Sequence, residues 1–379
     1  MTKGLLFAHR LSGPLDAMTG IGRYVIEMTR ALAALGSETG WSYDIASTRE
    51  REVPEWLPAG VGRRVVPWPR KAVHLSWTLL DKPRLERLVG PADVLHALQP
   101  SFPIPTQLPA VMTVHDLIPR EHPEWHGRVE RWGFRHAIDE LVNRNWHVIA
   151  DSRYVARELE AVGVPESHIN VVPLAISDPF RNPPAHDTRA SVCSRYGIEP
   201  GHYVLAVGRV SARKNLVLLV EAFAAIPQRD LVLVIAGSST GQEADRVRRA
   251  CDRLDIVGRV RFIGFVSDED LPALVAAALM FVYPSLDEGF GLPPLEAMAA
   301  GTPVVAANAG SVPEIVGDAA LLVDPTDRTA WTDAIDRVAD DEALRGMLAA
   351  AGRHRAAAFT WERAAEQTMA VHRAALENR

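Results

Sequence analysis

Short apolar runs of strand length recur along this chain and alternate with segments that show helical spacing. Six of these runs lie in the second half, at residues 203–208, 231–237, 260–265, 279–283, 303–306 and 320–323. Strands that are apolar at nearly every position are typical of parallel sheets with helices on both faces. Because strands and helices alternate, the connections are expected to be right-handed crossovers. The pattern therefore predicts an α/β fold built on parallel sheets.

The first half shows the same alternation with shorter apolar runs. Residues 1–10 predict a first strand, and a glycine-containing loop at 19–25 leads into a helix with apolar residues at helical spacing. Gly36 is the expected end of that helix. Further strands are expected at residues 64–66, 94–98, 111–114 and 147–150.

The length of the chain calls for more than one hydrophobic core. At 379 residues, of which 47% are hydrophobic, two domains are expected. A proline-bearing stretch at 177–190 is the candidate linker, which gives an N-terminal domain at 1–178 and a C-terminal domain at 179–358. In the remaining segment, 359–379, an amphipathic helix is expected with Thr360 as its N-cap.

Charge, cysteine content and apolar run length exclude several classes of protein. A net charge of −6 without an arginine-rich or lysine-rich tract argues against a nucleic-acid partner. Cys193 and Cys251 lack metal-ligand spacing and suggest reduced thiols in a cytoplasmic protein. The apolar part of residues 1–10 is too short for a signal peptide, and no apolar run is long enough to span a membrane. Peripheral membrane contact and the oligomeric state stay open.

The stretch 284–301 has the order strand end, glycine loop and helix start. Pro293 occupies the expected first position of the helix. Unpaired N–H groups at a helix start favour an anion in front of them. Two acids, Glu288 and Glu296, lie in the stretch with seven residues between them. The alternative interpretation is that Glu296 only complements the helix dipole and that Glu288 is solvated.

Arg209 and Lys214 follow the first apolar run of the second half. Both leave the carboxyl edge of the predicted sheet, where open α/β sheets bind their ligands. Two cations beside a helix start would form a strong diphosphate site, because charge-assisted hydrogen bonds and the helix dipole act together. The alternative is a solvated basic loop. No Walker sequence occurs, so triphosphate hydrolysis has no support.

In the first half, His96 and His115 stand at or near predicted strand ends. His115, followed by Asp116, therefore lies where chemistry is expected, whereas for His96 a ligand role and a packing role are weighed equally. Gly20 and Gly22 resemble the start of a dinucleotide fingerprint, but its third glycine is missing. A loop that lets a sugar or phosphate approach the backbone fits these glycines better, and a packing turn is the alternative.

Together, these motifs resemble those of the retaining nucleotide-sugar glycosyltransferases of the GT-B fold, in family 4. The resemblance rests on Glu288 with Glu296, Arg209 with Lys214, His115 with Asp116, and the loop at 20–24. It covers almost the whole chain and implies two Rossmann-like domains whose parallel sheets face each other across a cleft. The N-terminal domain would bind the acceptor and the C-terminal domain the nucleotide sugar. The last helix would cross back to the first domain.

The resemblance also implies a role for each motif residue. The expected catalytic residues are His115, Arg209, Lys214 and Glu288. The two cations would hold the donor diphosphate, Glu288 would bind hydroxyls of the donor sugar, and His115 would lie against that sugar. Glu296 would bind the ribose, and residues 263–266 would border the nucleobase. The other expected donor contacts are Gly20, Gly22, Gly264, Phe265, Val266, Gly289, Phe290, Gly291 and Leu292.

The implied reaction needs no metal or other cofactor, because fixed cations replace a divalent ion in this family and the nucleotide sugar is a substrate. Residues 268–270 contain two aspartates, but they are interpreted as the acidic first turn of a helix capped by Ser267.

The expected activity is transfer of a hexose to a hydroxyl of a glycan, lipid-linked or small-molecule acceptor. The phrases at 290–296 and 311–314 look most like those of enzymes that use GDP-mannose. The alternatives are a UDP-sugar donor such as UDP-glucose, a nucleotide-sugar isomerase of the 2-epimerase type, and a catalytically silent sugar-nucleotide binding module.

Overall fold

The structure, a computed structural model, describes residues 1–8, 20–48, 54–100 and 102–377. The chain divides into two compact units, one made of Met1–Ala175 with Thr360–Arg379 and the other of Ile176–Phe359. The sequence analysis placed these two boundaries after residues 178 and 358.

The first unit contains a parallel sheet with helices in the connections. Its strands are β1 (Thr2–Phe7), β2 (Trp41–Thr48), β3 (Gly62–Val66), β4 (Val94–Ala97), β5 (Ala110–Val114), β6 (His147–Ala150) and β7 (Ile169–Val171). Its helices up to residue 175 are α1 (Gly20–Thr39), α2 (Arg70–Leu80), α3 (Leu85–Val89), α4 (Ile118–Glu121), α5 (Arg128–Asn143) and α6 (Arg153–Ala161). The strand order is β3-β2-β1-β4-β5-β6-β7, and every neighbouring pair is parallel.

The second unit is built in the same way. Its strands are β8 (Tyr203–Val207), β9 (Val232–Ala236), β10 (Val260–Gly264), β11 (Met280–Tyr283), β12 (Val304–Ala307) and β13 (Leu321–Val323). Its helices are α7 (Asp178–Arg181), α8 (His186–Arg195), α9 (Leu216–Ala225), α10 (Gln242–Arg253), α11 (Leu271–Ala277), α12 (Leu292–Ala300), α13 (Val312–Val316), α14 (Arg328–Asp340) and α15 (Glu342–Ala356). The sheet has the order β10-β9-β8-β11-β12-β13 and is parallel throughout.

Central strands in both sheets are covered on both faces, as the apolar runs predicted. Every residue of β4, β5, β6, β11 and β12 is buried. In the first unit the fully buried Trp77 packs against Phe7 of β1, with ring centroids 5.8 Å apart. In the second unit Trp331 of α14 is fully buried, and its indole N–H donates to the Asp324 carbonyl at 3.0 Å. The prediction of two parallel α/β sheets is confirmed.

The last described helix, α16 (Trp361–Glu377), belongs to the first unit. Thr360 caps it, since its Oγ1 accepts the backbone N–H of Arg363 at 3.3 Å. The apolar stripe of α16 packs on α1 and on β4, β5 and β6. The first unit is therefore assembled from two separate parts of the sequence.

Two local predictions were wrong, and the predicted linker is partly helical. Gly20 and Gly22 lie in the first turn of α1 and not in a loop. Gly36 does not end this helix: it is buried within it, where an added Cβ would lie 3.1 Å from the Trp41 carbonyl oxygen, and the left-handed Gly40 follows the helix. The proposed linker at 177–190 contains helix α7 and the start of α8, because its prolines stand in or before helix starts and do not prevent them.

Candidate functional site

The best-formed candidate site lies where the strand order of the second sheet reverses. Strands β8, β9 and β10 succeed each other in one direction from this point, and β11, β12 and β13 in the other. The loops after β8 and β11 leave neighbouring strands at the same edge, because the two strands are parallel and hydrogen-bonded. Open α/β sheets bind their ligands at such a switch point.

The two loops are joined by their own backbones. The Leu286 N–H donates to the Arg213 carbonyl at 2.8 Å, and the Ser285 hydroxyl oxygen lies 3.2 Å from the same carbonyl oxygen. The Arg213 guanidinium in turn donates to the Asp287 carbonyl at 3.1 Å. These bonds fix a single 3-10 turn, Ala212–Lys214, against the glycine loop.

Lys214 and Glu288, both predicted site residues, form a buried ion pair between these loops. Lys214 Nζ lies 2.6 Å from Glu288 Oε1 and donates to the Tyr283 hydroxyl at 2.7 Å. Gly208 makes room for this lysine: its φ is +138°, and an added Cβ would lie 3.1 Å from Lys214 Cε. The Glu288 side chain is only 12% exposed, so the alternative of a solvated acid is wrong.

Two further groups hold the same carboxylate oxygen, and the sequence analysis identified neither. The Arg213 guanidinium makes an ion pair with Glu288 Oε1. The Ser285 hydroxyl donates to that oxygen at 2.6 Å. Arg213 precedes Lys214 and Ser285 precedes Glu288 in the sequence. Whether their side chains point towards the Glu288 carboxylate depends on how the two loops pack.

The charges of the pair shift both pKa values. Burial alone would raise the pKa of Glu288, but the Lys214 and Arg213 cations outweigh it and lower the pKa to about 2. Burial, aided by the Arg213 charge, lowers the pKa of Lys214 to about 8 although Glu288 opposes the shift. Burial also raises the pKa of Tyr283 well above its ordinary value. At neutral pH the site thus holds a carboxylate, two cations and a neutral phenol.

The loop after β12 supports Glu288 from the other side. The Ser311 N–H and hydroxyl both donate to the Glu288 carbonyl, at 3.0 and 2.8 Å. Gly310 has a φ of +57°, and an added Cβ would lie 2.8 Å from both the backbone nitrogen and the carbonyl oxygen of Glu288. Only a residue without a side chain lets this loop pack so closely.

Helix α12 begins where the sequence analysis expected an anion site. Gly289, Phe290 and Gly291 form the turn into Leu292, its first residue, so Pro293 is second and not first. Gly291 is left-handed with φ +97°. Glu296 is buried in this helix, and its charge contributes to the raised pKa of Tyr283.

The predicted nucleobase segment lies at the same edge. Gly264 ends β10 with φ +72°, Phe265 is 50% exposed, and Val266 is buried. The Gly237 N–H donates to the Gly264 carbonyl at 2.6 Å, which draws the ends of β9 and β10 together. An exposed aromatic ring is thus available beside the switch point. Arg209 is exposed in the loop after β8.

His115 lies in the first unit, directly after β5. Its Nδ1 is 2.7 Å from Asp151 Oδ2, and its Nε2 is 3.1 Å from the Leu98 carbonyl oxygen. The Tyr24 ring packs on it in an edge-to-face arrangement, with ring centroids 4.7 Å apart. Asp116 accepts the backbone N–H of Ile118 at 3.2 Å, at the start of α4. The contact of Asp151 with His115 was not predicted from the sequence.

His96 proves to be a packing residue in a buried hydrogen-bond chain. Its Nε2 bonds the Thr113 hydroxyl at 2.8 Å, and its Nδ1 bonds His372 Nε2 at 3.0 Å. The chain continues from Thr113 to the Tyr24 hydroxyl at 2.8 Å and from His372 to the Tyr43 hydroxyl at 3.2 Å. Burial lowers the pKa of His96 well below its ordinary value and that of His372 to about 3, so both rings are neutral.

Residues 268–270 form a turn just before α11, so the prediction that they are the acidic first turn of a helix capped by Ser267 is wrong: the helix begins at Leu271 and has no acid in its first turn. The Ser267 hydroxyl accepts the backbone N–H of Asp270 at 3.2 Å, and the Tyr196 hydroxyl donates to the Asp270 carboxylate at 3.1 Å. Arg195 forms an ion pair with the same carboxylate. Across the described ranges, no group of three or more histidine, cysteine or acidic side chains has an arrangement suited to a metal ion. Nor does any helix in those ranges have the length and apolar character needed to cross a membrane.

Comparison with known proteins relates this site to a family. The family model described as Glycosyl transferases group 1 matches residues 195–355, and that described as Glycosyltransferase Family 4 matches residues 18–178. The O-antigen chain mannosyltransferase B of Escherichia coli is 31% identical over 369 residues, which cover 94% of this chain and 96% of that protein. The mannosylfructose-phosphate synthase of Agrobacterium fabrum is 27% identical, covering 98% of this chain and 89% of that protein.

Among solved structures, sucrose-phosphate synthase from Thermosynechococcus elongatus superposes with a TM-score of 0.79 at 24% identity, and the match covers 100% of both chains. The likeness shows the fold, which is the GT-B fold that the sequence motifs implied. The family matches cover both units, and the mannosyltransferase relative matches almost from end to end. This chain belongs to family 4 of the glycosyltransferases, the group 1 glycosyltransferases.

Proposed function

We propose that this glycosyltransferase moves a mannosyl residue from GDP-mannose to an acceptor hydroxyl, with retention of configuration and without a metal ion. The observation that carries the proposal is the buried Lys214–Glu288 pair, 2.6 Å apart, at the switch point beside the start of α12. The two relatives that are named for mannosyl products support mannose as the transferred sugar.

Stabilisation of the leaving group follows from the fixed positive charges of this site. Negative charge develops on the diphosphate as its bond to the anomeric carbon breaks. Cations placed in advance in a water-poor site stabilise that charge without reorganisation. Lys214 and the exposed Arg209 leave the same loop, and Lys214 is already oriented by Glu288 and Tyr283. The donor diphosphate would replace Glu288 as the main partner of Lys214, and this arrangement performs the task of a divalent ion.

Glu288 then accepts hydrogen bonds from hydroxyl groups of the donor sugar. With both cations in place its pKa is about 2, and Arg213 still pairs with it after Lys214 has turned to the phosphate, so it stays an acceptor at neutral pH. Hydroxyls of the donor sugar can donate to it once Lys214 has turned to the phosphate. Glu296, buried one helix turn further on, is proposed to bind the ribose, and the exposed Phe265 ring is proposed to stack on the guanine.

The acceptor is proposed to be a hydroxyl of a glycan, a lipid-linked sugar or a small molecule, and the reaction is proposed to be cytoplasmic. Cys193 and Cys251 are both buried and unpaired, which fits a reducing compartment. Retention requires that the acceptor approaches from the face that the diphosphate leaves. We expect His115 to lie against the donor sugar on the first unit.

A donor panel tests the nucleotide and the sugar. GDP-mannose, UDP-glucose and ADP-glucose are compared by thermal shift on the wild type, on Lys214→Met and on Lys71→Ala as an exposed control. A ligand at one hundred times its Kd stabilises the folded state by about 2.7 kcal/mol. We expect GDP-mannose to raise Tm in the wild type and in Lys71→Ala but not in Lys214→Met. A shift with UDP-glucose alone would overturn the donor assignment, and no shift with any donor would overturn the site.

Product analysis tests the reaction class. GDP-mannose is incubated with and without a mixture of mannoside acceptors, and the products are separated. We expect GDP release to depend on the acceptor, and the anomeric NMR signal of the product to show the α configuration of the donor. Conversion of the sugar nucleotide without an acceptor would identify an isomerase instead.

A further inference from the structure

The imidazole of His115 has a hydrogen-bond acceptor at each nitrogen. Nδ1 faces Asp151 Oδ2 at 2.7 Å, and Nε2 faces the Leu98 carbonyl oxygen at 3.1 Å. A carbonyl oxygen only accepts, so Nε2 must carry a proton. The short contact at Nδ1 holds a second proton between nitrogen and carboxylate. Free imidazole is a stronger base than a free aspartate by roughly 2.6 pKa units, which places this proton on the nitrogen.

Asp151 is placed for this contact by the sheet. Val114 and Ala150 are partners in the β5–β6 register, so His115 and Asp151 are the next residues on two adjacent parallel strands. The Asp151 side chain is 1% exposed. Within the part of the chain that the structure describes, its Oδ1 has no hydrogen-bond partner. A buried carboxylate with so few partners is tolerated only beside a cation.

The other groups around the ring leave this charge in place. Asp116 follows His115 in the chain and adds a second negative charge. Tyr24, on α1, packs edge-to-face with the imidazole and bonds Thr113 through its hydroxyl. Burial raises the pKa of Tyr24, so it stays neutral. His96, on β4, is neutral because burial and the nearby His372 and His115 lower its pKa. Among these neighbours, only the two aspartates carry charge.

We propose that Asp151 is a positioning residue that holds His115 as a fixed imidazolium, with both ring nitrogens occupied within the first unit. His115 then neither removes a proton from the acceptor nor delivers one to the leaving group. It acts by position and charge, and it meets the donor through its ring edge or backbone. This inference rests on the proposed role of His115 beside the donor sugar. Burial lowers the pKa of His115, but the Asp151 carboxylate outweighs it, and the pKa is raised. Burial also raises the pKa of Asp151, and the proton stays on the imidazole because imidazole is the stronger base.

Nuclear magnetic resonance of histidine-labelled protein tests the protonation state without donor or activity. The His115 signals are assigned by their loss in His115→Gln. We expect both nitrogens of His115 in the wild type to show imidazolium shifts at pH 7, where a free histidine, with a pKa of about 6.5, is mostly neutral. In Asp151→Asn the amide can donate to Nδ1, so we expect a neutral ring protonated at Nε2. A neutral His115 in the wild type at pH 7 would overturn the proposal.

Kinetics with GDP-mannose test whether the placement matters. We expect Asp151→Asn to lower kcat about a hundredfold, as a misplacement of about 1 Å can, while the donor still raises Tm as in the wild type. The matched control is Asp139→Asn, the same change at an exposed carboxylate of α5, which should leave kcat unchanged. Wild-type kcat in Asp151→Asn would also overturn the proposal. If GDP-mannose neither changes the Tm of the wild type nor yields product, the proposed function is wrong, but the protonation state of His115 from the resonance experiment remains valid.

Discussion

Removal of the Glu288 charge tests the energetics of the candidate site most directly. In the folded protein the carboxyl titrates near pKa 2, against an ordinary value of 4.5. This difference corresponds to roughly 3 kcal/mol in favour of the charged form. Because the folded pKa is depressed, this contribution is fully present above pH 4.5 and is lost as the pH falls towards 2. Glu288→Gln should therefore lower the free energy of unfolding at pH 7 by about 3 kcal/mol.

The buried charge of Lys214 depends on Glu288 in turn. Its pKa of about 8, against an ordinary 10.5, shows that its charge is already costly where it is buried. Without Glu288 the pKa should fall further, and Lys214 should be largely neutral at pH 7. Breaking a buried ion pair by removing one partner costs about 3–5 kcal/mol, whereas replacing both partners is often nearly neutral. Lys214→Met in the Glu288→Gln background should therefore recover most of the lost stability.

Denaturant unfolding of the wild type, both single variants and the double variant completes a double-mutant cycle. Because Glu288→Gln alone should cost about 3 kcal/mol and the double variant should be nearly as stable as the wild type, we expect a coupling free energy of at least about 3 kcal/mol between the two residues. Asp245→Asn, which breaks the exposed Arg248–Asp245 pair of α10, is the control and should change stability by less than about 1 kcal/mol. If the two single losses simply add in the double variant, the pair is not coupled and the reasoning is refuted.

Three further predictions follow from other contacts. Gly310→Ala should cost about 1–3 kcal/mol in denaturant unfolding and lower kcat/KM, because a side chain at φ +57° would clash with the Glu288 backbone. His372→Leu should reduce the loss of Tm in acid. The folded pKa of His372 is about 3, so its contribution to stability is fully present above pH 6.5 and is lost as the pH falls. At pH 5.5 the loss should be about 1.4 kcal/mol. Phe265→Ala should raise the KM for GDP-mannose about tenfold at unchanged stability, because the exposed ring is proposed to stack on the base.

Each of these has a control or a contrary outcome. Gly346→Ala, on an exposed helix position with open space around it, should stabilise the protein by about 0.5–1 kcal/mol. An identical acid profile in His372→Leu would show that this histidine is charged in the fold. Met347→Ala, at another exposed apolar side chain of the second unit, should leave the donor KM unchanged, and an equal effect there would remove Phe265 from the base site.

The features predicted best from the sequence are those that depend on residues close together in the chain. Buried strands such as β11 are apolar at every residue, so their runs are recognisable without the fold. Strand β2 was missed because Ser42 and Asp44 alternate with its apolar residues. Gly36 was taken for a helix end because glycine is common there, whereas its position is set by the close approach of Trp41.

The sequence identified residues of the candidate site, but it did not predict which of them are in contact. Lys214 and Glu288 were found from their order and their likeness to a family. Their ion pair, the inward turn of Arg213 and the contact of Asp151 with His115 arise only when separate loops meet at a sheet edge. Residue spacing along the chain carries no information about which partner a buried charge meets.

The placement of α16 affects the order in which the two units can fold during translation. The second unit, Ile176–Phe359, is one uninterrupted segment, and its synthesis is complete before residue 361 is added. The first unit begins to emerge earlier but must wait for α16, which covers α1 and gives His96 its partner His372. The half of the molecule that is translated first is therefore expected to finish folding last. Its uncovered apolar surface would need protection during that interval.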